Sequence, residues 1–336
     1  MLTLMETSTR QDPEIPPLST HLALADHLGA LRMRLGFGRD RYRVTPGLYR
    51  IGDPDRSAPV LVTANYKLTV DAVRTQLENH SAWLLVLDTR GVNVWCAAGK
   101  GTFGTEELIV RLLDSGVQSL VDHRTLVLPQ LGAPGVAAHD VRAAVGFRVV
   151  YGPVRAADLP AFLDAGLKAT PEMRRVQFKV RDRFAVTGVE LGVLRDIRVL
   201  AGAAALLLVS ALGLIPWTGT LLAIAAGATG VVAGGLLVPL TLPWIPGRAF
   251  ALKGALVGVL AALGLLGAFP ADIDAAGSVA LVVGVSALAS FVAMNFTGSS
   301  TFTSLSGVLW EMRRAVPVQV VAALVTLTAL IVSIVW

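Results

Sequence analysis

From residue 198 onward the chain is a succession of five apolar stretches, near 198–215, 219–240, 250–269, 277–296 and 316–335. Each has the length, about 17–25 residues, that a helix needs to cross a bilayer. Their abundant Gly, Ala and Ser suit helices that approach closely within lipid. Charge crowds before residue 200 and nearly vanishes after it, and over the whole chain only 16% of residues are charged. A soluble protein usually carries about a quarter. The pattern predicts a soluble domain over 21–167, a basic connector over 168–197 and an all-α transmembrane domain of five helices over 198–336.

Positive charge sets the expected orientation. The connector carries Arg174, Arg175, Lys179, Arg181, Arg183 and Arg195, and Arg198 follows at the start of the first stretch. Arg248, Lys253, Arg313 and Arg314 fall on the same side, whereas Pro216-Trp217-Thr218 is uncharged and Ala271-Asp272-Ile273-Asp274 is only acidic. The soluble domain is therefore expected in the cytoplasm, the helices in the inner (cytoplasmic) membrane in contact with lipid, and the C-terminus outside. Residues 1–20, with Pro13, Pro16 and Pro17, read as a flexible N-terminus without the basic start and apolar core of a secretory signal. The net charge of +5 does not indicate nucleic acid, because many bases sit beside the apolar stretches and no aromatic residues interleave with them.

The soluble half alternates strand and helix patterns. Residues 21–35 suggest a short helix, Val60-Leu61-Val62 opens a strand, and Thr69 to Leu77 reads as the helix after it. Ala82 to Asp88 is an apolar run bounded by polar residues, which suits a buried strand. Leu120-Val121 and Leu126-Val127-Leu128 are strand candidates, followed by the loop Pro129-Gln130-Leu131-Gly132-Ala133-Pro134-Gly135 and a helix over Val136–Val145. Phe147 to Tyr151 adds a strand and Ala156–Ala165 a helix. This alternation implies a mostly parallel, Rossmann-like α/β sheet.

One stretch, Asn93-Val94-Trp95-Cys96-Ala97-Ala98-Gly99-Lys100, holds the only cysteine of 336 residues. One thiol permits neither an internal disulfide nor an iron–sulfur cluster of the chain's own. Val92 to Ala98 can form a helical turn ended by Gly99, and Thr105 can cap a helix whose first turn holds Glu106 and Glu107. Two readings of Cys96 stand at this point. A free cysteine is commonly a small buried hydrophobe. Yet Ala97-Ala98-Gly99 would leave a flat surface on which a large planar ligand could lie, just beyond a strand end where open α/β sheets place ligands. Gly99-Lys100-Gly101-Thr102-Phe103-Gly104 spells a dinucleotide pattern, but about ten residues separate it from the strand. A Walker pattern fails, since Val94 stands where its first Gly belongs. His139-Asp140 has no other His or Cys at ligand spacing and reads as an exposed pair.

Asn93 to Lys100 resembles the cap-helix motif of the HgcA family, the corrinoid proteins of microbial mercury methylation. Val62-Thr63-Ala64-Asn65-Tyr66-Lys67-Leu68-Thr69 and Tyr151-Gly152-Pro153-Val154 resemble the corrinoid domain shared with the large subunit of the corrinoid iron–sulfur protein. Met294-Asn295-Phe296-Thr297-Gly298-Ser299-Ser300-Thr301-Phe302-Thr303 resembles a segment of the family's membrane half. The resemblance implies a cobalt corrinoid (cobalamin-type) over the cap segment, with the Cys96 thiolate as its lower axial ligand. Thr63, Asn65, Asn93, Val94, Trp95, Ala97, Ala98, Gly99 and Lys100 are then expected to contact the corrinoid or support the cap, with Gly132, Ala133 and Gly135 as a wall of its site. The implied reaction is methyl transfer from methyl-Co(III) to Hg(II), giving methylmercury, because an electron-donating thiolate opposite the methyl group pushes density onto it. Implied partners are an HgcB-like ferredoxin with 4Fe–4S clusters, which would return the cobalt toward Co(I), and a methyltetrahydrofolate-linked methyl donor system. A different methyl acceptor, or a membrane transporter or receptor with no enzyme activity, are the competing readings. The Ser- and Thr-rich segment from Asn295 to Trp310 is expected as a polar loop on the cytoplasmic side, available for docking.

Overall fold

The computed structural model describes residues 15–38, 41–269, 273–296 and 305–335. They form a mixed α/β N-terminal domain followed by a helical C-terminal region. Two compact units divide between Val176 and Gln177, with Arg34–Phe37 grouped with the second.

In the first unit, α1 (Leu24–Arg34) precedes β1 (Gly47–Ile51), β2 (Val60–Ala64), α2 (Lys67–Arg74) and β3 (Ala82–Leu87). There follow α3 (Val94–Lys100), α4 (Thr105–Ser115), α5 (Val117–Leu120), β4 (Thr125–Leu128), α6 (Ala138–Val145), β5 (Arg148–Tyr151) and α7 (Leu159–Asp164). The sheet order is β1-β3-β2-β4-β5, with β1 antiparallel and the other neighbours parallel. β2 and β3 are buried along their whole length, as expected of continuous apolar strands covered on both faces. One face packs Leu108 and Leu112 of α4 and Val141 of α6; the other packs Val70 of α2 and Leu159 and Phe162 of α7. Chain order reverses between β2 and β4, because β3 lies on one side of β2 and β4 on the other. In open α/β sheets generally, ligand crevices lie outside the carboxyl ends of the strands at such a reversal.

Several local expectations need correction. Leu120 closes the helical turn α5 and Val121 is an extended residue after it, so the pair is not a strand of the sheet. Edge strand β1 had no counterpart in the sequence reading. Residues 16–18, expected within a flexible N-terminus, run beside β1: Leu18 N donates to Arg50 O and Arg50 N to Pro16 O. The turn that stops α3 is Gly101 at φ 80°, two residues beyond Gly99. The N-cap of α4 is Gly104 rather than Thr105, whose hydroxyl instead accepts from Ala137 N at 2.9 Å.

An ion network fastens α1 to α2. Lys67 Nζ lies 2.7 Å from Asp26 and 2.5 Å from Asp71, while Arg74 reaches Asp71 at 2.7 Å and Asp26 at 2.8 Å. The Lys67 hydrogen bond, with further help from Ala23 N and Arg74, holds the Asp26 carboxyl well below its ordinary value against the opposing effect of burial. A carboxylate held low contributes stability that is complete above the unfolded Asp value of 3.8 and is lost as pH falls toward the folded one. Thermal melts of the full-length protein are therefore expected to be level from pH 7 to about 5 and to decline below about 4. Asp26→Asn should lower Tm at neutral pH and flatten that decline.

In the second unit, α8 (Val180–Glu190) leads to α9 (Ile197–Ala211). α10 (Trp217–Val232) continues through a π-helical turn at Ala233–Leu237 into α11 (Val238–Thr241). α12 (Phe250–Ala268), α13 (Ala275–Asn295) and α14 (Leu305–Val335) complete the region. The wider turn precedes Pro239, whose missing N–H and bulky ring would clash with the carbonyl four residues back in regular α register. Among the described residues, four helices are long and apolar enough to cross a membrane: Trp217–Thr241, Phe250–Ala268, Ala275–Asn295 and Gly307–Ser333. The expectation of five such helices is not met, because the stretch near 198–215 yields only the 15-residue α9. That helix is about 22 Å long against a hydrocarbon core of about 30 Å. It ends because Gly213 turns the chain at φ 74° and Pro216 follows.

Small residues let α10 and α12 approach α13 on its backbone. A Cβ added at Gly234 or Gly254 would lie 2.5 Å from the Ala289 carbonyl oxygen. Gly230 and Gly234 on one helix, and Gly254 and Gly258 on another, repeat the four-residue spacing of close helix contacts in membranes. At one end of the bundle Arg183 donates to the carbonyls of Pro239 and Leu240, and Lys253 to those of Leu242 and Ile245. Glu311 accepts from Ala251 N near the start of α12. Most of the expected docking loop, residues 297–304, lies outside the described residues.

Candidate functional site

Four connections emerge at the carboxyl edge of the parallel strands: Asn65-Tyr66 after β2, Asp88 through Gly104 after β3, Pro129 through Ala137 after β4, and the segment from Gly152 after β5. α3 belongs to the second and packs against the end of β2 and the short 3-10 turn Gln130–Gly132.

Asn93 caps α3, its Oδ1 accepting from Cys96 N at 2.9 Å. At the other end Thr102 N and Phe103 N donate to Ala97 O. Val94, Ala97 and Ala98 are buried in the face of the core shared with Val62 and Ala64. Trp95 and Cys96 are half-buried, and Gly99 and Lys100 exposed. Cys96, Gly99 and Lys100 are spaced by three and four residues and so share one side of the helix. Nothing lies within 4 Å of a Cβ added at Gly99. The thiol thus projects from a short helix whose outward surface beside it is bare.

The loop holding α3 is built by one buried amide. Asn65 Oδ1 accepts from Thr89 N, Thr89 Oγ1 and Gly91 N at 2.9–3.2 Å, while Asn65 Nδ2 donates to Asp88 at 3.1 Å. Asn65 therefore positions the cap segment, and its side chain is spent on that task. Glu107 reinforces the strand end by accepting from Asp88 N at 2.8 Å. Thr63 lies on β2 in alternation with Val62 and Ala64, which places it toward the opposite face of the sheet from α3. Its hydroxyl is buried and has no hydrogen-bond partner.

Gly132, Ala133 and Gly135 stand beside α3, in the loop after β4. The amides of all three are taken up within their own loop, donating to Pro129 O, Gln130 O and Gly132 O. The glycines make room for packing. A Cβ at Gly132 would sit 2.5 Å from the Phe103 ring, and one at Gly135 would sit 2.1 Å from Phe103 O and 3.0 Å from Ala98 Cα. Fully buried Phe103 thus wedges α3 against the loop after β4. Tyr151 ties the same loop to β5, its hydroxyl donating to Val136 O at 2.7 Å, and burial pushes its phenol above the ordinary value. The supporting roles of Phe103, Thr89, Glu107 and Tyr151 at this site were not foreseen from the sequence, although Phe103, Glu107 and Tyr151 fell within stretches it singled out. Only Phe103, an isolated large apolar residue among small ones, carried a local signal.

Among the described residues no cluster of three or more His, Cys, Asp or Glu could hold a metal ion. What the site offers is a single sulfur and an open small-residue surface at the carboxyl edge of the sheet. That donor set suits a ligand bringing its own equatorial ligation and needing one axial donor, as a planar macrocycle does.

Residues 37–163 match the family model described as CO dehydrogenase/acetyl-CoA synthase delta subunit. The chain is 40% identical over 128 residues to the acetyl-CoA decarbonylase/synthase complex subunit gamma of Methanopyrus kandleri, covering 38% of this chain and 27% of that protein. It is 32% identical over 123 residues to the corresponding subunit of Methanothermobacter thermautotrophicus, covering 36% and 26%. The subunit of Methanocaldococcus jannaschii is 34% identical over 122 residues, covering 36% and 25%. The chain spans about a quarter of the length of these curated relatives. The family match covers the α/β domain that carries α3 and ends before α8.

Proposed function

We propose that this protein is a membrane-anchored corrinoid methyltransferase in which the Cys96 thiolate is the lower axial ligand of cobalt and Hg(II) is the methyl acceptor. The observation that carries this reading is the placement of the lone thiol. Cys96 projects from the bare side of a capped helix at the carboxyl edge where the parallel sheet reverses order. Similarity to subunits of acetyl-CoA decarbonylase/synthase complexes supports the corrinoid class, and the Asn93–Lys100 motif supports the mercury acceptor.

When bound, the corrinoid supplies a cobalt-carried methyl group. The chain's own residues have simpler tasks. Asn93 orients α3 so that the Cys96 side chain leaves its outer face, and Asn65 holds the loop that carries α3. Ala97 and Ala98 anchor the helix without filling the outward surface, which Trp95 borders. With one cysteine the chain has no cluster for electrons, so an HgcB-like ferredoxin with 4Fe–4S clusters is the proposed reductant and methyltetrahydrofolate the ultimate methyl source.

The basic side of the bundle is proposed to face the cytoplasm at the inner membrane. Arg183 of α8 holds the carbonyls of Pro239 and Leu240, so α8 and the C-terminal end of the α10–α11 helix share one side. The intervening α9, with the apolar turn from Leu212 to Ile215, must then carry the chain to the opposite side, where Trp217 begins α10. This supports a reading of five crossings despite the short first helix, with the C-terminus proposed to lie outside.

The test is reconstitution of the full-length protein in detergent with cobalamin. A bound, coloured corrinoid and methylmercury formed from a methylated sample and Hg(II) are expected. Failure to bind any corrinoid would reject the reading, while methyl transfer to another acceptor but not to Hg(II) would replace the substrate alone.

A further inference from the structure

α1 is turned inside out relative to an ordinary surface helix. Its polar Asp26 faces the domain, paired to Lys67 and Arg74, and Met33 beside it is 2% exposed. Gly29 lies on the same inward side, where an added Cβ would meet the Tyr42 ring. The leucines point the other way: Leu24 is 73% exposed, Leu28 57% and Leu31 56%. At 3.6 residues per turn these three lie within an arc of roughly 60°. Leu35 continues the row in the following turn and is also exposed, and Arg32 and Arg34 flank it.

Residues 34–37 pack with the start of the membrane region. An added Cβ at Gly188 of α8 would meet Arg34 O, Arg195 donates to Leu35 O, and the Arg195 guanidinium lies 4.2 Å from the Phe37 ring centre. Arg195 stands two residues before apolar α9 begins. Leu35, the last of the row, is therefore held beside Arg195, close to the start of apolar α9.

We propose that α1 is an interfacial helix that lays Leu24, Leu28, Leu31 and Leu35 into the surface of an anionic bilayer, with Arg32 and Arg34 at the level of the phosphates. A leucine row with arginine flanks has the chemistry of helices that lie in the headgroup boundary, where apolar burial and attraction to anionic lipid act together. This placement is independent of what α3 binds.

The experiment uses the full-length protein in phosphatidylethanolamine–phosphatidylglycerol vesicles, with Cys96→Ala removing the native thiol. Single nitroxide labels are placed at Leu28→Cys, Leu31→Cys and, as a water-facing control, Ala25→Cys. Labels at 28 and 31 are expected to collide several-fold more with oxygen than with a polar nickel complex, and the label at 25 to show the reverse. In vesicles of phosphatidylcholine alone the contrast at 28 and 31 should shrink. Nickel access at 28 and 31 equal to that at 25 would overturn the proposal. So would exclusion of both reagents with spin–spin broadening, which would mean that the row pairs with a second copy. A contrast unchanged in phosphatidylcholine would overturn the role of anionic lipid.

Discussion

Cys96→Ala is expected to reduce methylmercury formation to the level of a protein-free control while leaving the α/β domain folded. The fold should survive because the sulfur is not among the buried core of the sheet, and α3 is held by the Asn93 cap and by Ala97 O rather than by the thiol. Activity should fail because no other thiol exists in the chain to replace it. Circular dichroism and amide exchange would verify the fold, and the cobalt absorption spectrum would report the ligand change directly. Cys96→His is expected to retain a fraction of the activity, since imidazole also ligates cobalt. Wild-type activity and an unchanged spectrum in Cys96→Ala would reject axial ligation.

The second large effect is expected at a residue with no polar side chain. Gly135→Ala would place a methyl group 2.1 Å from Phe103 O and 3.0 Å from Ala98 Cα. Both neighbours are backbone atoms, so rotamer changes cannot relieve the clash. Overpacking of this kind costs about 1–3 kcal/mol or more, which for a domain of this size lowers Tm by roughly 5–10 °C. Because Ala98 belongs to α3, the damage should concentrate there. Amide exchange in residues 94–104 and 129–137 is expected to accelerate more than in β2 and β3, and corrinoid affinity to fall with Cys96 still present. Gly116→Ala, which meets nothing within 4 Å but must hold φ 63°, should destabilise through backbone strain without changing corrinoid affinity.

The legible parts of this chain were those in which local pattern and burial coincide. β2, β3 and β4 are continuous apolar runs, and the structure places them centrally in a mostly parallel sheet. β1 was hidden because Arg50 interrupts its apolar residues and because it is an antiparallel edge, defined by a partner far along the chain. Leu120-Val121 misled because helix α5 restarts after Gly116 within a single turn. The stretch near 198–215 was apolar enough to read as one span, but hydropathy does not register the left-handed turn at Gly213. At the site, a helical turn around Cys96 was legible, but it runs Val94–Lys100 rather than Val92–Ala98, and the capping role of Asn93 was not foreseen. The glycines at 132 and 135 did not disclose their purpose, since the Phe103 wedge is a contact across about thirty residues of sequence. Asn65 was singled out by its motif, and its work as the tie of the 88–91 loop became visible only with its four hydrogen bonds.

The attachment of α3 has a consequence for how such a protein can change. Its two ends are secured by a neighbouring amide side chain and by main-chain carbonyl groups, and its inner face by small hydrophobes. Positions 96, 99 and 100 therefore hold up no other part of the architecture, and substitutions there should alter reactivity long before they alter folding. A lineage, or an engineer, could exchange sulfur for selenium, imidazole or carboxylate on this platform and sample different reactivities on one unchanged scaffold.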